Sequence, residues 1–143
     1  MEILRWKTRI AVLWILSAVV MSAHMILMVM DPVVLKKIAE WAPTATLSEW
    51  VLTALFWLVP LWMAFAAITL KGPSNRWLNF FVAIIFAVLN IWHFFICGVP
   101  LLKGSPFEKA TPHHMLLVAS PAVATALVAW YALKWPKQEA GVA

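Results

Sequence analysis

The chain has very little of what a soluble domain uses to face water. Only 12% of its 143 residues are charged, whereas an ordinary soluble domain carries about 25%. Its single cysteine cannot form an internal disulfide. Apolar residues make up 64% of the chain, which is more than a globule of this size can bury. These properties exclude a soluble enzyme, a disordered tail and a secreted disulfide scaffold, and they indicate an integral membrane protein.

Charged residues are missing from four long stretches. No Asp, Glu, Lys or Arg occurs in residues 10–30, 50–70, 77–102 or 110–133. Each stretch supplies the roughly 20 apolar residues that a helix needs to cross a hydrocarbon core of about 30 Å, and a backbone in lipid must satisfy its own hydrogen bonds. We therefore predict an all-α integral membrane protein with one domain, 1–143, built as a four-transmembrane-helix bundle with spans at about 9–30, 48–70, 75–98 and 112–134.

The connection after the first span has the pattern of a short surface helix. Asp31 followed by Pro32 is typical of an N-cap with proline at the first helical position. Val34, Ile38 and Trp41 then recur on one side of the following turns. The sequence thus predicts an amphipathic interfacial helix over 32–41, between spans one and two.

Basic residues predict the orientation of the bundle. One end carries seven basic and two acidic residues, and the other carries four of each. Because basic loops remain on the cytoplasmic side, we expect both termini to be cytoplasmic. The basic residues of that end are Arg5, Lys7, Arg9, Lys71, Arg76, Lys134 and Lys137. The positive balance reflects topology and attraction to anionic lipid, so the expected partner is the lipid bilayer and no nucleic acid.

All four histidines are predicted to gather at the other end. His24 lies seven residues before Asp31 and His93 seven residues before Pro100, near which their spans end, so both lie roughly 10 Å below the surface at 1.5 Å per residue. His113 and His114 open span four on the same side. Spans one and three run parallel, so the two deeper imidazoles could hold a ligand across the bundle.

The neighbours of these histidines are soft metal ligands. Helical spacing places three methionines on the face of His24, and an asparagine and the cysteine on the face of His93. These residues are Met21, Met25, Met28, Asn90 and Cys97. Thioether, thiol and imidazole groups select copper(I), and imidazole also ligates haem iron. Copper and haem are therefore the candidate cofactors, while plain packing of methionines and hydrogen-bonded histidines is the alternative for the same pattern.

Three functional hypotheses follow, and no set of acid, base and nucleophile favours an enzyme. The leading one is a non-enzymatic binding module or accessory subunit with a His/Met-lined soft-metal or haem pocket. The second is a transporter or binder of a small hydrophobic ligand in a cavity between spans two and four, which Pro60 and Pro121 should kink. Its pocket would be lined by Trp57, Trp62, Trp92 and Asn90. The third is a structural subunit of a larger membrane complex or a homo-oligomer, which the alanine-rich face of span four permits.

Several short motifs resemble those of a known family. Met30-Asp31-Pro32 with Leu35, Pro60, and Asn75-Arg76-Trp77 with Asn79 are similar to a family of small bacterial and archaeal four-helix membrane proteins, known as a domain of unknown function. The resemblance covers about Leu13 to Asn79. It implies a four-span fold in a prokaryotic inner membrane and no particular activity. The family pattern has acidic residues near the positions of Met25 and Leu58, so the role of those acids does not carry over to this chain.

Overall fold

A computed structural model describes residues 2–97 and 112–136, without the side chains of 96, 97 and 112–114. Within these residues there are five α-helices and a short 3₁₀ turn, Ala42–Thr44. The helices are α1 Glu2–Met30, α2 Pro32–Trp41, α3 Leu47–Thr69, α4 Gly72–Cys97 and α5 Pro112–Lys134. All except α2 are long and apolar enough to cross a membrane. The predicted all-α fold with four spans is confirmed.

Local signals explain where these helices begin. The carboxylate of Asp31 accepts hydrogen bonds from the backbone N–H groups of Val33 and Val34, so α2 begins as the sequence predicts. Thr46 and Glu49 form a reciprocal capping box at the start of α3. Pro60 and Pro121 lie inside α3 and α5, and both helices continue through them.

Each span buries one narrow stripe of side chains. On α1 the buried positions recur every three or four residues, which is the spacing of a helix face packed against neighbours. They are Lys7, Ile10, Ala11, Trp14, Ser17, Ala18, Met21 and His24. Many of the other apolar residues of the spans are exposed on the outside of the bundle, as expected where lipid rather than water surrounds it.

The four spans form a ring with two diagonals. α4 packs along α5, α5 along α1, and α1 along α3, whereas α3 and α4 have much less backbone contact than these pairs. Within the described residues, α1 does not approach α4 closely through its backbone, nor does α3 approach α5. Contacts between α1 and α4 are therefore made by side chains that reach across the centre of the bundle.

The two ends of the bundle differ. We call the end that holds the start of α1 and the α3–α4 turn the basic end, and the opposite end the α2 end. At the basic end Asn75 donates from Nδ2 to the carbonyls of Ala67 and Leu70, at 2.9 and 2.8 Å. Lys7 also donates to the Leu70 carbonyl, at 2.7 Å. These bonds satisfy carbonyls that the end of α3 would otherwise leave open, so the basic end is fixed by a polar network.

Candidate functional site

Two histidines meet across the bundle in its α2-end half. His24 on α1 is fully buried and His93 on α4 is half-buried. Their ring centroids are 5.5 Å apart and the ring planes meet at 86°. Because α1 and α4 lie on a diagonal of the bundle, this ring pair occupies its interior. The structure thus brings together the two histidines that the sequence placed at equal depth.

An aromatic side chain from α3 covers the pair. The ring of Phe56 lies 6.3 Å from that of His93 and is stacked on Phe86 at 5.7 Å. Phe86 also meets the ring of Trp14 edge-on, at 5.8 Å. An apolar layer therefore separates the histidine pair from the polar network of the basic end.

Asn90 adds a polar group one turn before His93. Its side chain is 2% exposed, and its Nδ2 has no hydrogen-bond partner among the described residues. A buried amide donor without a partner loses the hydrogen bonds that it had in water. This amide therefore has donor capacity that the surrounding protein does not use.

Thioethers lie close to the pair along the helices. Met21 is buried one turn before His24, and Met25 and Met28 are half-buried. The register between α4 and α5 places a further thioether, that of Met115, at the depth of the histidine pair. Arg76 of α4 donates to the carbonyl of Ala132 on α5, so these two residues lie at the same level. His93 lies seventeen residues after Arg76, and Met115 lies seventeen residues before Ala132. Because the two helices are antiparallel, the backbones of His93 and Met115 also lie at about the same level.

Three further residues of the predicted cluster lie where α4 ends and α5 begins. The backbones of Cys97, His113 and His114 belong to the last turn of α4 and the first turn of α5, but their side chains lie outside the described part. Among the side chains that are described, no three of His, Cys, Asp or Glu form a group able to hold a metal ion. Any metal on the histidine pair would therefore need a thioether or a residue from these two turns.

The tryptophans predicted to line a ligand pocket are not grouped in the interior. Trp57 is half-buried, but Trp62 and Trp92 are 66% and 63% exposed on the outside of the bundle. Each lies off the buried stripe of its own helix, which passes through Pro60, Met63 and Ala67 on α3 and through Ala83, Phe86 and Asn90 on α4. An internal slot between α3 and α5 would therefore lack these two rings.

Neither the contribution of Phe56 nor the role of the asparagines at the basic end was predicted from the sequence. Phe56 lies in a helix half rich in apolar residues, and nothing in its spacing distinguishes it from its neighbours. The asparagines did carry a signal, because Asn75 and Asn79 stand four residues apart where the third apolar span begins. That spacing predicts a shared polar face, and the structure shows that this face holds the end of α3.

The site and fold together define a four-helix membrane bundle with a buried histidine pair. No family model, curated protein or solved structure matches the chain. The resemblance to the four-helix family therefore stays a prediction.

Proposed function

We propose that this protein is a membrane metal-binding module in which His24 and His93 bind one soft transition-metal ion, with a preference for copper(I). The observation that carries the proposal is the contact of the two imidazoles in the interior, at 5.5 Å between centroids. With metal–nitrogen bonds of about 2.0 Å and an angle of about 110–120° at the ion, two bound imidazoles have centroids about 5.2–5.6 Å apart. The rings would need to turn but not to separate.

The charge of the surroundings favours a monovalent ion. Neither span that carries these histidines contains an acidic residue between Ile10 and Met30 or between Trp77 and Leu102. A buried charge without a counter-charge is costly, and the cost rises steeply with the size of the charge. Copper(I) bound by neutral imidazole and thioether groups leaves one positive charge, whereas zinc or copper(II) would leave two. Soft ligands select copper(I) as well.

Haem fits the same pair less well. A porphyrin between two axial histidines must pass between their rings, but the imidazoles of His24 and His93 are in edge-to-face contact. Inserting the macrocycle would require α1 and α4 to move apart. The geometry therefore supports a single ion over haem, with the buried Met21, on the same face of α1 as His24, as the proposed thioether ligand.

Copper loading tests the proposal. Protein purified in detergent is loaded with copper(I) under reducing conditions, and bound copper is measured against a competing chelator. We expect one copper per chain. His24→Leu or His93→Leu should weaken binding by about a hundredfold or more, since loss of outer-shell partners alone costs about 10–100-fold.

Two methionine variants of α1 provide a matched comparison. Met21→Leu should weaken copper binding, whereas Met30→Leu, at a side chain 72% exposed at the end of α1, should leave it unchanged. Equal copper binding by the wild type and a variant with both histidines replaced would contradict the proposal. A Soret band in the purified protein would overturn the preference for an ion over haem.

A second candidate function has support from α3. No residue from Leu47 to Val59 is buried, so this half of α3 is only weakly held by the rest of the bundle. A partner helix would cover it, which fits a subunit of a larger membrane complex or a homo-oligomer. The mass of the particle extracted in mild detergent tests this, because a solitary chain would count against the candidate.

We further propose that the basic end faces the cytoplasm of a prokaryotic cell, with the histidine pair in the half of the bundle nearer the outside. The support is the uneven distribution of basic residues. A copper site at this depth would be reached from the extracytoplasmic side.

A further inference from the structure

The seam between α1 and α5 carries a polar cavity and an apolar furrow on the outside of the bundle. The cavity, of about 470 Å³, lies at the basic end and is lined by four residues of α1, namely Glu2, Arg5, Trp6 and Arg9, the last two of which contact Tyr131 of α5. The furrow, of about 310 Å³, lies further along the seam, between leucines of α1 and small or apolar residues of α5. We propose that this seam binds one anionic phospholipid, with its phosphate on the two arginines and an acyl chain in the furrow. The inference is independent of the proposed metal site.

The cavity and the furrow lie on one stripe of α1. Arg5, Arg9, Leu13 and Leu16 follow each other at intervals of four, four and three residues, so their side chains share one helix face. The two arginines line the cavity and the two leucines line the furrow. A headgroup on the arginines would therefore direct its acyl chain along the leucines.

Aromatic contacts hold the inner arginine at the seam. The guanidinium carbon of Arg9 lies 5.7 Å from the ring centroid of Trp6 on α1 and 5.9 Å from that of Tyr131 on α5. The two rings meet edge-on at 5.4 Å. Arginine over aromatic faces keeps its planar N–H groups free to bind phosphate at the edge of the guanidinium. Tryptophan and tyrosine also belong at the headgroup level of a membrane.

Other basic side chains of the same end have different roles. Lys7 is buried and donates to the Leu70 carbonyl, and Arg76 donates to the carbonyls of Ala132 and Leu133. These two groups stabilise the fold. Arg5 and Arg9, by contrast, are exposed and line a cavity, so they are the basic pair placed to receive a ligand.

The charge of the cavity matches one phosphodiester. Two arginines and the Glu2 carboxylate leave a net charge of one positive unit, and the phosphate diester of a phospholipid carries one negative unit. Glu2 precedes Arg5 by one helical turn and lines the same cavity, where its carboxylate can accept hydrogen bonds from headgroup hydroxyls. A glycerol headgroup provides those hydroxyls and leaves the lipid with its negative charge. The site thus fits phosphatidylglycerol better than a zwitterionic lipid.

The length of the furrow matches an acyl chain. Its α5 wall runs from Leu127 to Leu116, which is about 16 Å at 1.5 Å per residue. Half of a hydrocarbon core of about 30 Å is about 15 Å. Between these leucines the wall contains Ala119, Ser120 and Ala124, whose small side chains make room for the chain.

Native mass spectrometry tests the site on the whole protein. Detergent-purified protein is mixed with equal amounts of phosphatidylglycerol, phosphatidylethanolamine and phosphatidylcholine that share the same acyl chains. We expect one retained phosphatidylglycerol per chain, and at least a tenfold loss of that species in the Arg5→Gln, Arg9→Gln variant. Lys71→Gln with Lys134→Gln removes the same charge at the same end without touching the cavity, and should retain the lipid.

A second pair of variants tests the furrow. Val123→Phe fills it from a position that is 59% exposed, so the fold should tolerate it while lipid retention falls severalfold. Val88→Phe places the same ring on α4 at a position that is 62% exposed and should retain the lipid. Equal retention of the three lipids, or equal losses in the Arg5/Arg9 and Lys71/Lys134 variants, would overturn the proposal.

Discussion

At the scale of single residues, one buried hydrogen bond links the centre of the bundle to its basic end. The indole N–H of Trp14 donates to Oδ1 of Asn79 at 2.8 Å, and Asn79 donates in turn to Asn75. Trp14→Phe keeps most of the ring but leaves that oxygen without its donor. We expect a loss of about 1–2 kcal/mol in the free energy of unfolding, measured by reversible denaturation in mixed detergent. Trp62→Phe, at a residue 66% exposed, should change it by less than about 0.5 kcal/mol.

This bond also shows what a sequence can tell about single residues. The sequence predicted that His24 and His93 lie at equal depth, because the depth of a residue in a span follows from the number of residues between it and the end of that span. The partner of Trp14 stands 65 residues away, and no spacing rule connects them. Which polar groups pair depends on how the helices are rotated against each other, and this is decided by packing. An unfolding free energy that is equally affected by Trp14→Phe and Trp62→Phe would contradict the importance assigned to the bond.

At the scale of helices, charge gaps predicted the spans but not all of their ends. α1 begins at Glu2 rather than near residue 9, because Arg5, Lys7 and Arg9 end the apolar run without ending the helix. Arginine and lysine are good helix formers, and Lys7 can be buried there since the Leu70 carbonyl receives its ammonium group. Capping residues predicted ends better, because their hydrogen bonds are local.

The start of α2 is therefore a sharp test at this scale. Asp31→Ala removes the acceptor for the N–H groups of Val33 and Val34, bonded at 2.8 and 3.4 Å, at a cost of about 1 kcal/mol. Amide exchange in the first turn of α2 should accelerate about fivefold, measured by hydrogen–deuterium exchange with mass spectrometry. Asp31→Asn keeps an oxygen acceptor and should remain close to the wild type. Similar acceleration in both variants would show that the side-chain cap does not hold this turn.

At the scale of the whole molecule, the order of the helices around the ring was not predictable from the sequence. Most positions of all four spans are apolar, and the few polar ones do not say which helix each face meets. The diagonal placement of α1 and α4 is nevertheless what turns two histidines of equal depth into a pair in contact. The separation of charge between the two ends can, by contrast, be predicted from the sequence. The number of spans between two basic residues alone decides whether they lie at the same end of the bundle.

That separation predicts the orientation of the bundle. The basic end has an excess of five positive charges and the α2 end has none, and basic segments resist transfer across the membrane. In a Cys97→Ser background produced in a bacterial inner membrane, a membrane-impermeant maleimide should label Lys36→Cys in intact spheroplasts. It should label Lys71→Cys only after detergent is added, and equal labelling of both in detergent shows that the two thiols are equally reactive. Labelling of Lys71→Cys in intact spheroplasts would reverse the orientation, and with it the side from which the proposed metal ion would reach His24 and His93.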